Sequence, residues 1–143
     1  MRVVHVCAYF APAFVYGGPP RSILALCRAQ RAAGVDVRVV TTTADGDGEL
    51  REEITSRGDY DGIPVRYCGR TWPRSIFYAP SLPAILATEL KDDAVLHIHG
   101  AAALMAPQVC RVGHRNARCN SSCYAVGAAQ LFFPQKQVYF PTT

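Results

Sequence analysis

Long apolar runs are missing from these 143 residues. None approaches the roughly 20 consecutive residues that a membrane-spanning helix requires. Missing too is any stripe of basic residues interleaved with aromatics. Lys and Arg are scattered and the formal net charge is only +4, which argues against a nucleic-acid partner while leaving a cationic face suited to anionic lipid or a phosphate-bearing ligand. The glycine signatures of nucleotide sites are absent as well: Gly17-Gly18 lacks the third glycine of a dinucleotide fingerprint, and no Gly-Lys-Ser/Thr follows it. Acidic residues cluster between Asp45 and Asp61 without the twelve-residue loop ending in Glu that an EF-hand needs, so this stretch reads as a solvated connection. Charged residues make up 18% and hydrophobic ones 50%, a balance that gives a globular domain rather than a disordered chain. The length suits one α/β domain.

What is present begins with Arg2-Val-Val-His-Val-Cys-Ala8, a β-branched and apolar run that suits a central strand covered on both faces. A signal-peptide reading of the same stretch is weakened by His5 and Pro12. Tyr9 to Tyr16 carries four aromatic side chains and Pro12, and Gly17-Gly18-Pro19-Pro20 then turns the chain into a helix whose first turn tolerates proline. Ile23, Cys27, Gln30 and Gly34, with Leu24, Leu26 and Ala33 beside them, form the inward stripe, and Gly34 is the expected stop. Val35 to Thr43 is a second strand, Ile63 to Cys68 a third, Leu82 to Leu90 a helix with Ser81 as N-cap, and Ala94 to Gly100 a fourth strand. Cys7, Cys27 and Cys68 fall inside these elements and read as small core residues. The aromatic and basic loop from Gly69 to Ser81 either lines a ligand surface or packs on the domain's own flank.

The expected fold class is therefore α/β, a Rossmann-like doubly wound parallel sheet of strand order 3-2-1-4 over residues 1–100, set by right-handed crossovers. In such a sheet the carboxyl edge binds ligands, so a helix N-terminus at Gly17 and Gly18 offers amide N–H groups to anionic or polyhydroxyl ligands. The two-residue period of the fourth strand places His97 and His99 on one face. A His-x-His pair can chelate a metal, but no third ligand follows from the pattern. His97 reads as structural. His99, at the carboxyl end, is the candidate catalytic residue, as a general base or hydroxyl-binding group.

These motifs in this order, with Arg31-Ala-Ala-Gly-Val-Asp-Val-Arg-Val-Val40, Gly62-Ile-Pro-Val65 and Ala94-Val-Leu-His-Ile-His-Gly100, resemble the N-terminal domain of retaining glycosyltransferases of family 4, which have the GT-B fold. The resemblance implies transfer of a sugar from a nucleotide-sugar donor to a glycan or lipid-linked acceptor in a cleft between two Rossmann-like domains. It implies that the N-terminal domain holds the acceptor, that Gly17 and Gly18 lie against the donor's diphosphate or transferred sugar, and that His99 lies beside the acceptor or that sugar. It also implies that no metal or other cofactor is needed, that the enzyme is cytoplasmic with peripheral contact at the inner membrane face, and that polysaccharide assembly is its setting.

The matching motifs end at Gly100. Residues 101–143 turn rich in Cys, Arg and Ser and then in Gln and Phe, without sustained periodicity, and read as an atypical tail: a shifted reading frame, a misjoined end or a disordered segment. The expectation is a truncated glycosyltransferase, its acceptor-side domain, inactive by itself. The alternative is a non-enzymatic α/β binding module whose tail holds zinc through Cys110, His114, Cys119 and Cys123, a Cys3His set at unfamiliar spacing.

Overall fold

The computed structural model describes residues 1–90, 94–100, 109 and 111–112, and the backbone of 124–126. The proposed zinc ligands Cys110, His114, Cys119 and Cys123 lie outside the described residues. In chain order the elements are β1 (Arg2–Cys7), α1 (Gly18–Ala32), β2 (Asp36–Thr42), β3 (Ala44–Asp45), β4 (Gly48–Glu49), α2 (Glu52–Thr55), β5 (Asp59–Tyr60), β6 (Ile63–Cys68), α3 (Leu82–Glu89), β7 (Ala94–His99) and β8 (Tyr124–Val126), with 3-10 turns at Phe14–Tyr16 and Arg74–Ile76.

The β-branched run at the start forms the middle of the sheet. β1 pairs in parallel with β2 on one side (Val3 opposite Val37) and with β7 on the other (His5 opposite His97), and β2 pairs in parallel with β6. The complete order is β5-β6-β2-β1-β7-β8. Its centre is the expected 3-2-1-4 arrangement, extended at both edges. β5 adds an antiparallel hairpin partner to β6, and β8 pairs in parallel with β7, covering the edge that the sequence left open and placing a strand where no strand periodicity was legible. Three residues are too few to show a period.

Alternation along the strands divides the core in two, as a doubly wound sheet requires. Cys7, Val37, Val39, Ile63 and Val65 pack under Ile23, Leu24 and Cys27 of α1. On the other face Val4, Val6, Val40, Leu96 and Ile98 pack under Leu82 and Leu86 of α3, with Leu90 and Val109 beside them. Ile23 and Leu24 are buried, each contributing about 1.5–3 kcal/mol, whereas Leu26 is only half-buried at the margin of the stripe. Gly34 closes α1 at φ 81°, its N–H bonding to Arg31 O while Val35 N–H reaches Gln30 O.

Two details differ from the sequence reading. Ser81 stands at the N-cap of α3 but makes no side-chain capping bond; its hydroxyl instead tempers the rise that burial imposes on the Cys68 thiol. The connection after β2 is not featureless: β3 and β4 form a tight antiparallel hairpin around Gly46-Asp47, and Asp61 and Gly62, at φ 54° and 71°, turn β5 into β6. Positive φ at both central residues is the hairpin turn that Asp-Gly favours.

Candidate functional site

Each parallel strand delivers a loop to the carboxyl edge of the sheet, and three of these loops meet there. After β1, Tyr9 stacks on Tyr16 with ring centroids 4.0 Å apart and planes 11° from parallel. After β6, Phe77 closes on both rings at 5.7 and 6.2 Å. Phe77 holds φ 53° and ψ 30°, a left-handed conformation that costs a non-glycine residue about 1–2 kcal/mol and here aims its ring at the tyrosines. The hairpin after β2 contributes Gly46 and Asp47, with Gly46 O accepting from the Tyr16 hydroxyl at 3.1 Å.

These loops bound a cavity of about 310 Å³, lined by Tyr16, Phe77, Arg70, Arg74, Ser75, Gly46 and Asp47. The Arg70 side chain is 2% exposed and is held by Glu49 at 2.9 Å and by the carbonyls of Gly48 and Arg74 at 2.6 and 3.1 Å, so it frames the wall rigidly. Its guanidinium also lies 5.6 Å over the Phe77 ring. Arg74 is largely exposed and stands 3.6 Å from Glu49. A second concavity, about 220 Å³, lies toward the amino ends of β2 and β6 beside Arg38, Arg66 and Glu89. Two of its arginines are already paired, with Asp36 and Glu89. The carboxyl-edge cavity, lined by aromatic and polar side chains, is the candidate ligand site.

Gly17 and Gly18 open α1 at this edge. Gly17 sits at φ 80° and ψ −122°, which only glycine adopts readily, and its N–H bonds to Phe14 O at 3.0 Å. The next two amide positions of the helix are Pro19 and Pro20, which have no N–H. Of the four amides that a helix start leaves free, only that of Gly18 remains as a donor. The expected cradle of backbone N–H groups is therefore thin, and what Gly17-Gly18 offers a ligand is close approach: a Cβ at either position meets nothing within 4 Å.

His99 ends β7 on the α1 face, in register with Cys7. It is joined to a residue that no sequence pattern singles out. His99 Nε2 lies 2.7 Å from Nδ1 of the fully buried His5, and His5 Nε2 lies 2.7 Å from Oε1 of Gln30 on α1. His97 stacks on His99 with centroids 4.1 Å apart and planes at 28°. Burial, reinforced by the neighbouring imidazoles, pushes His99 down to about 3; burial, opposed by the Gln30 bond and aided by His97, pushes His5 down to about 4; burial lowers His97 too. All three rings are neutral near pH 7. The only signal in the sequence was Gln30, a polar residue on an inward stripe.

Ligand nitrogens of His5, His97 and His99 lie within 4.8 Å of one another, the spread of a three-histidine metal set. The geometry observed is that of a hydrogen-bonded stack. Two nitrogens on one zinc ion, at about 2.0–2.1 Å from it, sit more than 3 Å apart, whereas the His5–His99 separation is 2.7 Å. Stacked rings also send their in-plane lone pairs along similar directions rather than toward one point. Among the described residues, the structure brings His99 to His5 and Gln30, while Gly17 and Gly18 belong to the aromatic loop beside the cavity.

No curated protein and no solved structure matches the chain. A family model described as Glycosyltransferase Family 4 matches residues 16–119, a span that includes the helix start, the cavity loops and β7, and that runs past the Gly100 where the sequence motifs end. With a match over more than half its length and a sheet of the corresponding architecture, the chain belongs to Glycosyltransferase Family 4.

Proposed function

We propose that this chain is the acceptor-side domain of an enzyme that transfers a sugar from a nucleotide-sugar to a glycan or lipid-linked acceptor. The observation that supports it most is the carboxyl-edge cavity. Tyr16 and Phe77 offer faces on which a pyranose ring stacks, while Asp47, Ser75 and Arg74 offer hydroxyl partners at the rim. A volume of about 310 Å³ suits one sugar unit rather than a whole nucleotide-sugar.

The donor's diphosphate needs dense positive charge and amide donors to stabilise it as it leaves. The start of α1 supplies a single free amide, so a second, donor-binding domain completes the cleft and the acceptor-side domain alone does not turn over. Gly17 and Gly18 let the donor sugar approach the backbone. His99, neutral and with its proton affinity lowered, serves as a hydrogen-bond partner for a sugar hydroxyl rather than as a strong base. The setting is the cytoplasm, at the inner membrane face when the acceptor is lipid-linked, and the product is an assembling polysaccharide.

The sole tryptophan tests this reading directly. Trp72 is 87% exposed in the loop that carries Arg70, Arg74 and Phe77, outside the cavity lining, so a ligand that orders this loop changes its surroundings. Adding simple glycosides, and lipid-linked sugars in micelles, should shift Trp72 emission in a saturable way in the parent protein and not in Phe77→Ala. Equal responses in both proteins, or none in either together with no binding heat by calorimetry, would remove the cavity as the acceptor site.

A further inference from the structure

Three neutral imidazoles and one amide meet between β1, β7 and α1, and the two 2.7 Å separations join three of them in a line, Gln30 to His5 to His99. A neutral imidazole has one N–H and one bare nitrogen, so each ring must donate on one side and accept on the other. Fixing the first partner fixes every proton in the line. Gln30 presents Oε1, an atom that only accepts. His5 must then carry its proton on Nε2 and leave Nδ1 bare. His99 must in turn donate from Nε2, which leaves its own Nδ1 bare.

We propose that His5 and Gln30 are positioning residues: through this line they hold His99 in the tautomer with the proton on Nε2, so that its bare Nδ1 is left as the hydrogen-bond acceptor for a sugar hydroxyl. The assignment rests on the reading of His99 as the ligand-facing histidine. It deepens that reading by giving the hydroxyl the donor's part. Were the Gln30 amide reversed, each proton in the line would shift and His99 Nδ1 would become a donor, so one side-chain amide on α1 sets the polarity of a ring on β7.

Burial explains why the arrangement holds. His5 is fully buried, and an unpaired ring nitrogen there has lost its water without gaining a partner, which disfavours any tautomer that breaks the line. His97 stacks on His99 and restrains its ring from turning over. Orientation of a functional histidine by a hydrogen-bond partner on its other nitrogen is a general device for fixing tautomers.

The test is nitrogen-15 NMR of the imidazoles in the purified chain, with the variants Gln30→Glu and Gln30→Leu. In the parent protein, long-range proton–nitrogen spectra should show His5 and His99 both protonated on Nε2, with a scalar coupling across the hydrogen bond between His99 Nε2 and His5 Nδ1. Gln30→Glu, ionised and read at a pH where the nitrogen-15 shifts show His5 uncharged, keeps an acceptor at this place and should reproduce the parent pattern. Gln30→Leu removes the acceptor and should lose the coupling and populate both tautomers of His99. A parent protein with its proton on His99 Nδ1 overturns the proposal. So does a Gln30→Glu protein that differs from the parent in tautomer while His5 is uncharged, or a folded Gln30→Leu protein that keeps the parent coupling and a single tautomer. Should Gln30→Leu not fold, the parent and Gln30→Glu spectra decide the matter. None of these readouts depends on sugar binding, so failure here and failure of the acceptor-site reading are separable.

Discussion

Acid should unfold this domain through His5. The imidazole is fully buried and its folded-state pKa falls from 6.5 to about 4, because burial disfavours the charged ring more than the Gln30 bond favours it. In the unfolded chain the same group takes up a proton near pH 6.5. Above that pH neither state is protonated and His5 has no effect on stability. Between 6.5 and about 4 the unfolded state binds a proton that the folded state refuses, so stability falls as pH falls. The slope is about 1.4 kcal/mol per pH unit for one proton, and the accumulated loss by pH 4 is about 3 kcal/mol. Against a typical domain stability of about 5–15 kcal/mol that loss is large. His99, depressed to about 3 for the same reason, adds in the same direction over a window that opens at the same pH and reaches lower. The assay is urea unfolding at half-unit steps from pH 7.5 to 4.5 for the parent and for His5→Asn, which cannot titrate there. The substitution lowers the intercept, because it leaves Gln30 and His99 without their partner. The decisive quantity is the slope, expected to be shallower in His5→Asn by about one proton's worth. Parallel slopes below pH 6.5 would refute the argument that burial keeps His5 neutral.

Other residues make equally definite predictions. Gly17→Ala forces a side chain into a glycine conformation and should cost about 1–3 kcal/mol by chemical denaturation, with strain rather than collision as the cause, since a Cβ there meets nothing. Gly18→Ala, in a helical position with open space around it, should leave stability unchanged or raise it by up to about 1 kcal/mol while hindering ligand approach; a large loss of stability would contradict the placement. Leu86→Ala removes a fully buried side chain between α3 and the strands and should cost about 2–5 kcal/mol in the same assay. Glu49→Ala strips the almost fully buried Arg70 side chain of its carboxylate and should cost about 1–3 kcal/mol, and a Trp72 emission change should accompany it as the cavity wall loosens.

Much of the frame was legible because its signals are local. The β-branched runs of β1 and β2, the apolar stripe of α1 and its glycine stop follow from residue type and period alone. The tight turn at Asp61-Gly62 carried its own signal, yet it lay among so many acidic and glycine residues that the whole stretch read as loop. β8 was hidden by its length. The amide cradle expected at α1 is thin because Pro19 and Pro20, which suit a helix start, also lack the N–H that a ligand would use. His5 could not be found by pattern at all. Within an apolar strand it resembles a core filler, and its partners come from a helix 25 positions away and a strand 94 positions away, brought together only by the register of β1 with β7 and the docking of α1.

Calorimetric titration of the purified chain with a panel of nucleotide-sugars, their nucleoside diphosphates and simple glycosides tests the acceptor-side assignment most directly. The account predicts heat on adding a glycoside and none from any nucleotide-sugar or nucleoside diphosphate, because the start of α1 has one free amide where a diphosphate site needs several. Tight binding of a nucleotide-sugar with turnover would contradict it, and would place a complete donor site within these residues.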